Sequence, residues 1–282
     1  MSNALIILAA GASSRMKESL NDSAEYTTDG SSHITSKALI TLGDGNKPLL
    51  DYLLLNATKA GYKDIYLVVG EAAIDFKEHY RYNPNFATLS ISFATQYVPK
   101  DRSKPLGTAD AVLQTLDQYP ELQQRIFSVC NADNLYSVQG LKALRLSTSP
   151  QAFISYNRDG LQFTTARISA FALTLLDDEN YLLHIVEKPN RSELESFRQQ
   201  DGCFRVSMNL WKLEGAKIYP YLKNCPFNPE RNEKELPTAV LNLIKEYPKS
   251  VLAIPFDEHV PDLTTKDDIE RLKKYINDHF HS

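Results

Sequence analysis

Cysteine is scarce in this chain of 282 residues: there are three, Cys130, Cys203 and Cys225, far apart and without metal-ligand spacing. A small, odd number argues against a disulfide framework and fits a reducing, cytoplasmic setting. Long apolar runs are also missing. No stretch approaches the roughly 20 residues of a membrane span. The apolar start, residues 5–10, lacks the basic flank, length and cleavage site of a signal peptide. The six histidines are scattered, none forms a ligand pair, and no Ser-His-Asp set or zinc constellation competes for the role of active site. Excess positive charge is absent as well, with 31 Lys and Arg against 35 Asp and Glu for a net charge of −4. A mildly acidic chain has no general attraction for nucleic acid, so any phosphate it binds must be held by local groups. What remains is ordinary globular composition, 43% hydrophobic and 23% charged, enough for one large core.

The apolar run Ala4-Leu5-Ile6-Ile7-Leu8 stops at Ala9-Ala10-Gly11, as a strand buried on both faces does. Further strands are expected at 65–69, 90–94 and 126–130, and in the second half at 152–156, 167–173, 182–186 and 204–213. Pro48 opens a helix with Leu49, Leu50, Leu53 and Leu54 at helical spacing, and Gly61 caps it. Helices are also expected at 109–116, near 191–199, 215–223 and 233–246, and at about 265–280, where Ile269, Leu272, Ile276 and Phe280 make one apolar face. Residues 17–36 are polar and read as a long surface loop, of the kind that often forms a lid. The alternation predicts an α/β fold: a Rossmann-like mixed, mostly parallel sheet flanked by helices. No repeat or linker divides the chain, so one domain is expected over 1–282. Ligands in such sheets bind beyond the carboxyl ends of the strands, which points to the loops after Leu8 and after Cys130.

Small residues at 11–14 let the backbone approach a ligand, and their N–H groups can cradle phosphate. Arg15 adds a permanently charged, planar donor. The same loop could be a plain tight turn with a solvated arginine, since short glycine motifs have many false positives. Segments later in the chain shift the balance. Ser36-Lys37-Ala38-Leu39 leads to Gly45-Asn46-Lys47-Pro48-Leu49-Leu50. Then come Gln96, Leu106-Gly107-Thr108-Ala109, Asn131-Ala132-Asp133-Asn134, Glu187-Lys188-Pro189, Val206-Ser207-Met208-Asn209 and Pro261-Asp262-Leu263-Thr264. In this order, and over nearly the whole length, the chain resembles the sugar nucleotidyltransferases.

The resemblance implies a nucleotide-binding half over about 1–140. It also implies a smaller, β-rich sugar-binding half with the C-terminal helix over about 141–282. Ala10, Gly11, Ala12 and Arg15 would meet the nucleotide phosphates, and Lys37 would act at the reacting end. Gln96, Gly107 and Thr108 would read the base, with the Gln and Gly-Thr-Ala pattern favouring a pyrimidine. Asp133 and Asp262 would hold Mg²⁺. Glu187, Lys188 and Asn209 would line the sugar site. The implied partners are a nucleoside triphosphate and a sugar 1-phosphate, with no nucleic acid or membrane and a homo-oligomer compatible.

The residue types suit that chemistry. A sugar phosphate is already an anion and can attack the α-phosphorus without a general base, so positioning and charge stabilisation are the main contributions open to a protein. Mg²⁺ takes hard oxygen ligands, often one or two carboxylates plus waters. Plainer readings exist for each residue: Asp133 could cap a turn, Asp262 after Pro261 could belong to one, and Glu187-Lys188 could be a surface pair. Glu235-Leu236-Pro237-Thr238 reads as a helix start that serves packing.

The chain also departs from the family. Ser13-Ser14 stands where many relatives carry a second glycine, and is closer to the molybdopterin cytidylyltransferases of the same superfamily. The interval from Arg15 to Lys37 is long, and Ser207-Met208-Asn209 stands where the family has Asn-Ala-Gly. Besides transfer to a molybdopterin-type acceptor, two other functions remain open. A non-catalytic nucleotide-sugar sensor would be free to lose Arg15, Lys37, Asp133 and Asp262, which are all present. A cytidylyltransferase acting on phosphocholine would need an aromatic cage, for which Tyr156, Phe163 and Trp211 are candidates.

Overall fold

The computed structural model describes residues 2–11, 39–42, 47–168, 171–187 and 194–280. At its centre is a nine-stranded sheet. β1 (Ala4–Leu8) lies between β4 (Asp64–Gly70) and β6 (Ile126–Asn131), parallel to both, and β5 (Ser90–Gln96) extends the parallel set beyond β4. β10 (Arg205–Glu214) runs antiparallel to β6 on one side and to β7 (Ala152–Asn157) on the other. β11 (Leu252–Phe256) adds to β7 in parallel. β8 (Ala172–Leu176) pairs with the start of β10 and with β9 (Leu182–Val186). A small separate ladder joins β2 (Thr41–Leu42) to β3 (Lys47–Pro48).

The expected α/β architecture is therefore present: a largely parallel sheet, covered on both faces. β1 shows why its sequence reads as unbroken apolar residues. Leu5 and Ile7 pack into the core on one face and Ala4 and Ile6 into the core on the other, and all four are fully buried. The cores are closed by α1 (Leu49–Ala60), α2 (Ile74–Arg81), α3 (Thr108–Gln118), α4 (Val138–Leu146), α5 (Thr165–Ile168), α6 (Gly215–Lys223), α7 (Leu236–Glu246) and α8 (Asp267–Phe280). Gly61 caps α1 in the left-handed conformation, as its position after the apolar stripe predicts.

The open edge of β5 is covered by side chains of α3. Gln114 bonds both the N–H and the C=O of Tyr97, and Gln118 does the same for Thr95. Two glutamines one helical turn apart thus imitate a neighbouring strand and keep the edge from templating another chain.

Several expectations need correction. The strand expected at 167–173 is instead α5 through Ile168, with β8 starting at Ala172. Only a short 3₁₀ turn, Leu194–Phe197, stands among the described residues of the helix expected at 191–199. Elements without a forecast include α2, α4 and β11. α2 presents few apolar residues, α4 is announced only by the Ser137 cap, whose Oγ accepts from Gly140 N, and β11 carries Pro255, which speaks against a strand except at an edge. Residues 17–36 lie outside the described residues.

Candidate active site

β6 delivers its last residue, Asn131, to the carboxyl edge of the sheet, and the chain then turns sharply. Ala132 N donates to Leu8 O, holding the turn against the end of β1. The next residues are laced to a distant loop: Asn134 and Asp262 form an antiparallel bridge, Leu135 N donates to Pro261 O at 2.8 Å, and Leu263 N donates to Asp133 O at 2.8 Å. This short ladder brings Asp133 and Asp262 onto the wall of one cavity of about 350 Å³.

The floor comes from β10, whose pairing with β7 breaks register between Ser207 and Trp211. Asn209 sits in this bulge at φ 61°, a left-handed conformation that asparagine tolerates better than most residues. It stands where the resembling family has glycine, and the backbone conformation accounts for the exchange. Its side-chain amide donates to Asn131 Oδ1 at 2.7 Å and accepts from Trp211 Nε1 at 2.8 Å. Tyr136 Oη donates to Met208 O at 2.7 Å, fastening the turn after β6 to the same bulge.

A second wall is built from two segments in contact. Gly107 precedes α3 at φ 110°, and a Cβ there would lie 2.5 Å from Lys234 O. Only glycine meets both demands. Ala109 N donates to Lys234 O, Lys234 N to Leu106 O, and Leu236 N to Thr108 Oγ1. The preceding residues are tied by Asn228, whose Oδ1 accepts from Glu230 N and Arg231 N while its Nδ2 donates to Glu235 Oε2. Arg231 then reaches across the cavity wall, 2.8 Å from Glu187 Oε2 and 2.9 Å from Glu235 Oε1.

Behind Asp262 lies an arginine that the sequence did not single out. Arg167, on α5, holds Asp262 Oδ2 with Nη2 at 2.7 Å and Asp268 Oδ1 with Nη1 at 2.5 Å. Thr264 Oγ1 lies 3.0 and 2.9 Å from the two oxygens of Asp262. Burial alone would raise the Asp268 carboxyl. The Arg167 hydrogen bond and charge, with bonds from the Thr264 and Thr265 amides, outweigh burial and hold it below the usual range. His259 is pushed down to about 4 by burial and by the Arg167 charge, and its Nδ1 faces Gln162 N at 3.2 Å.

The structure gathers Thr108, Asp133, Glu187, Asn209 and Asp262 around one cavity. Ala10 and Gly11 follow β1 at the same edge of the sheet. Gln96 stands apart: it is buried, and its Nε2 donates to Gly107 O and Asp110 Oδ2, so it supports the glycine turn from behind. Ala12, Arg15, Lys37 and Lys188 lie outside the described residues. Among residues not picked out from the sequence, Arg231 and Glu233 line the cavity, and so do Glu235 and Pro237, read there as packing. Their signal is faint, because the segment is polar and only its contact with Gly107 brings it to the site. The aromatic cage does not form. Trp211 is stacked on Phe153 in the core of one sheet face, Tyr156 is buried in the core of the other, and Phe163 packs on Phe171 and His259.

Mg²⁺ takes one or two carboxylates, the rest of its shell being water and phosphate, and Asp133 and Asp262, both on the cavity lining, are the pair that would serve. Among the described residues no group of three or more His, Cys, Asp or Glu could hold a metal. Nor is any described helix long and apolar enough to cross a membrane.

Comparison with known proteins bears on the family and the fold. The model of the family described as "Nucleotidyl transferase" matches residues 31–213. The chain is 23% identical over 244 residues to the bifunctional protein GlmU of Staphylococcus haemolyticus, covering 86% of this chain and 45% of that protein. It is 26% identical over 148 residues to glucose-1-phosphate adenylyltransferase of Corynebacterium jeikeium, covering 51% of this chain and 36% of that one. The chain thus spans less than half the length of these curated relatives. A solved structure of UDP-glucose pyrophosphorylase complexed with UDP-glucose superposes with a TM-score of 0.73 at 17% identity, covering 99% of this chain and 100% of that one, and so shares its fold. The model spans more than half of the chain, and with the order of the motifs it shows that this protein belongs to the nucleotidyl transferase family.

Proposed function

We propose that the chain is a sugar-1-phosphate nucleotidylyltransferase, joining a nucleoside triphosphate and a sugar 1-phosphate to give a nucleoside diphosphate sugar and pyrophosphate. The observation that carries this reading is the single cavity where Thr108, of the base-reading motif, meets Asp133, Asp262, Glu187 and Asn209. The named activities of the relatives and of the structural neighbour point the same way.

An acceptor phosphate oxygen attacks the α-phosphorus and forms a new P–O bond. The bond from that phosphorus to the oxygen bridging to the β-phosphate breaks, and pyrophosphate leaves with that electron pair. The protein's part is positioning and charge stabilisation. The Gly107–Thr108 turn offers the base backbone groups in a conformation held by Lys234 and Gln96. Glu187 and Asn209 accept and donate hydrogen bonds to acceptor hydroxyls. Ala10, Gly11, Ala12 and Arg15 take the triphosphate, and Lys37 and Lys188 take the charge at the reacting phosphates. Asp133 and Asp262 would hold Mg²⁺, which when bound screens the repulsion between the two anions.

The test is a pyrophosphate-release screen of nucleoside triphosphates against sugar 1-phosphates and phosphocholine. Turnover is expected with a sugar 1-phosphate. Asp133→Asn and Lys37→Ala are expected to lower it by at least about 100-fold, the scale seen when one electrostatic group is removed. Normal pyrophosphate release by both variants overturns the assignment, and binding of a nucleotide sugar without any turnover identifies a sensor.

A further inference from the structure

Five carboxylates, of Asp133, Glu187, Glu233, Glu235 and Asp262, line the cavity, and among its described lining residues Arg231 is the one cation. A cavity so lined would favour an acceptor carrying a positive charge unless the carboxylates were matched. Asp262 has Arg167 behind it. Glu187 and Glu235 share Arg231, whose Nη1 lies within 2.9 Å of both.

We propose that Arg231 is a specificity-determining residue that biases the cavity toward acceptor phosphates whose sugar bears only hydroxyls and against those whose sugar carries an ammonium group. The inference rests on the sugar-phosphate reading given above. The guanidinium offsets one of the two negative charges nearest to it and, lying against Glu187 Oε2, lowers the attraction of that carboxylate for an ammonium. A neutral polyol loses little by this, because a carboxylate paired with a guanidinium keeps lone pairs that accept from a hydroxyl. Geometry sustains the arrangement without help from the substrate. Asn228 organises the backbone of 228–235, accepting from Glu230 N and Arg231 N and donating its own N–H to Glu233 O. Arg102 anchors the same turn through Asn232 O at 2.5 Å. None of these bonds involves the Arg231 side chain, so its replacement leaves the turn in place.

The experiment compares, in one preparation, kcat/KM for hexose 1-phosphates (glucose, galactose and mannose) with that for their 2-amino-2-deoxy counterparts. It is made in the wild type, Arg231→Gln and Arg231→Lys. The ratio of amino to neutral acceptor does not depend on the fraction of folded protein. It is expected to rise about 10-fold in Arg231→Gln, equivalent to about 1.4 kcal/mol, and to stay near the wild-type ratio in Arg231→Lys. A ratio unchanged or lowered in Arg231→Gln, with turnover of the hexose phosphate retained, overturns the role of Arg231 while leaving the acceptor reading intact. A wild type that turns over none of the six acceptors overturns both.

Discussion

Arg167 and Asp262 meet as an ion pair at 2.7 Å, and the same guanidinium grips Asp268 at 2.5 Å. One side chain thereby ties α5, the loop that carries Asp262 and the start of α8. All three side chains are largely buried, so removing the cation leaves two carboxylates without their partner. Breaking a buried pair costs roughly 3–5 kcal/mol. Because Arg167 remains 19% exposed, a smaller loss of about 2–3 kcal/mol is expected for Arg167→Ala, read as a shift in the urea midpoint. The pH dependence has a definite sign. Asp268 is held below its unfolded value, so its contribution is present above about pH 3.9 and is lost as pH falls through the lower folded value. Arg167→Ala should remove most of that acid sensitivity, and an unchanged acid profile would contradict the pairing.

Gly107→Ala is expected to damage both stability and nucleotide binding. The new methyl would need φ near 110° and would stand 2.5 Å from Lys234 O, so the 228–236 wall must move. Backbone strain of this kind costs on the order of 1–3 kcal/mol, measurable by thermal unfolding, and KM for the nucleotide should rise more than KM for the acceptor. Equal shifts in the two constants would place the damage elsewhere.

Asn209 offers a comparison of two substitutions at one site. Asn209→Gly keeps the left-handed conformation and loses the amide bonds to Asn131 and Trp211. Asn209→Ala loses both and adds strain at φ 61°. Alanine should therefore be the more destabilising by about 1 kcal/mol, whereas equal losses would show that the conformation carries no cost.

His259 should make the fold sensitive to mild acid. Its folded value is pushed to about 4 from an ordinary 6.5, by burial and then by the Arg167 charge. Between those two pH values the unfolded chain binds a proton that the folded chain refuses. The contribution is therefore complete above about pH 6.5 and declines as pH falls toward 4, by up to about 3 kcal/mol at ~1.4 kcal/mol per pH unit. His259→Gln should flatten the stability profile across this window. A slope equal to that of the wild type would exclude His259 as its source.

Much of the scaffold was legible because its signals are local. β1 is apolar at every position since both its faces are buried, and α1 carries its leucines at helical spacing with Gly61 at its end. The motif order likewise marked Thr108, Asp133, Glu187, Asn209 and Asp262, which the fold brings to one cavity. The failures have a common cause. Arg167–Leu173 is apolar enough to read as a strand, yet Arg167 is drawn into a helical turn by partners 95 and 101 residues away. Pro255 sits in β11 because that strand lies at an edge, a circumstance set by its neighbours.

The chain's own order of residues was enough to predict an α/β sheet and its strand-end loops, because periodicity acts over a few residues, and the order of its motifs pointed to the family. The partners within the site were decided by the fold. The bridge from Asn134 to Asp262, the Gly107 contact with Lys234, the Arg167 clamp and the Arg231 link to Glu187 all join residues far apart in sequence. Each depends on charge and close approach in space, which a linear pattern does not carry.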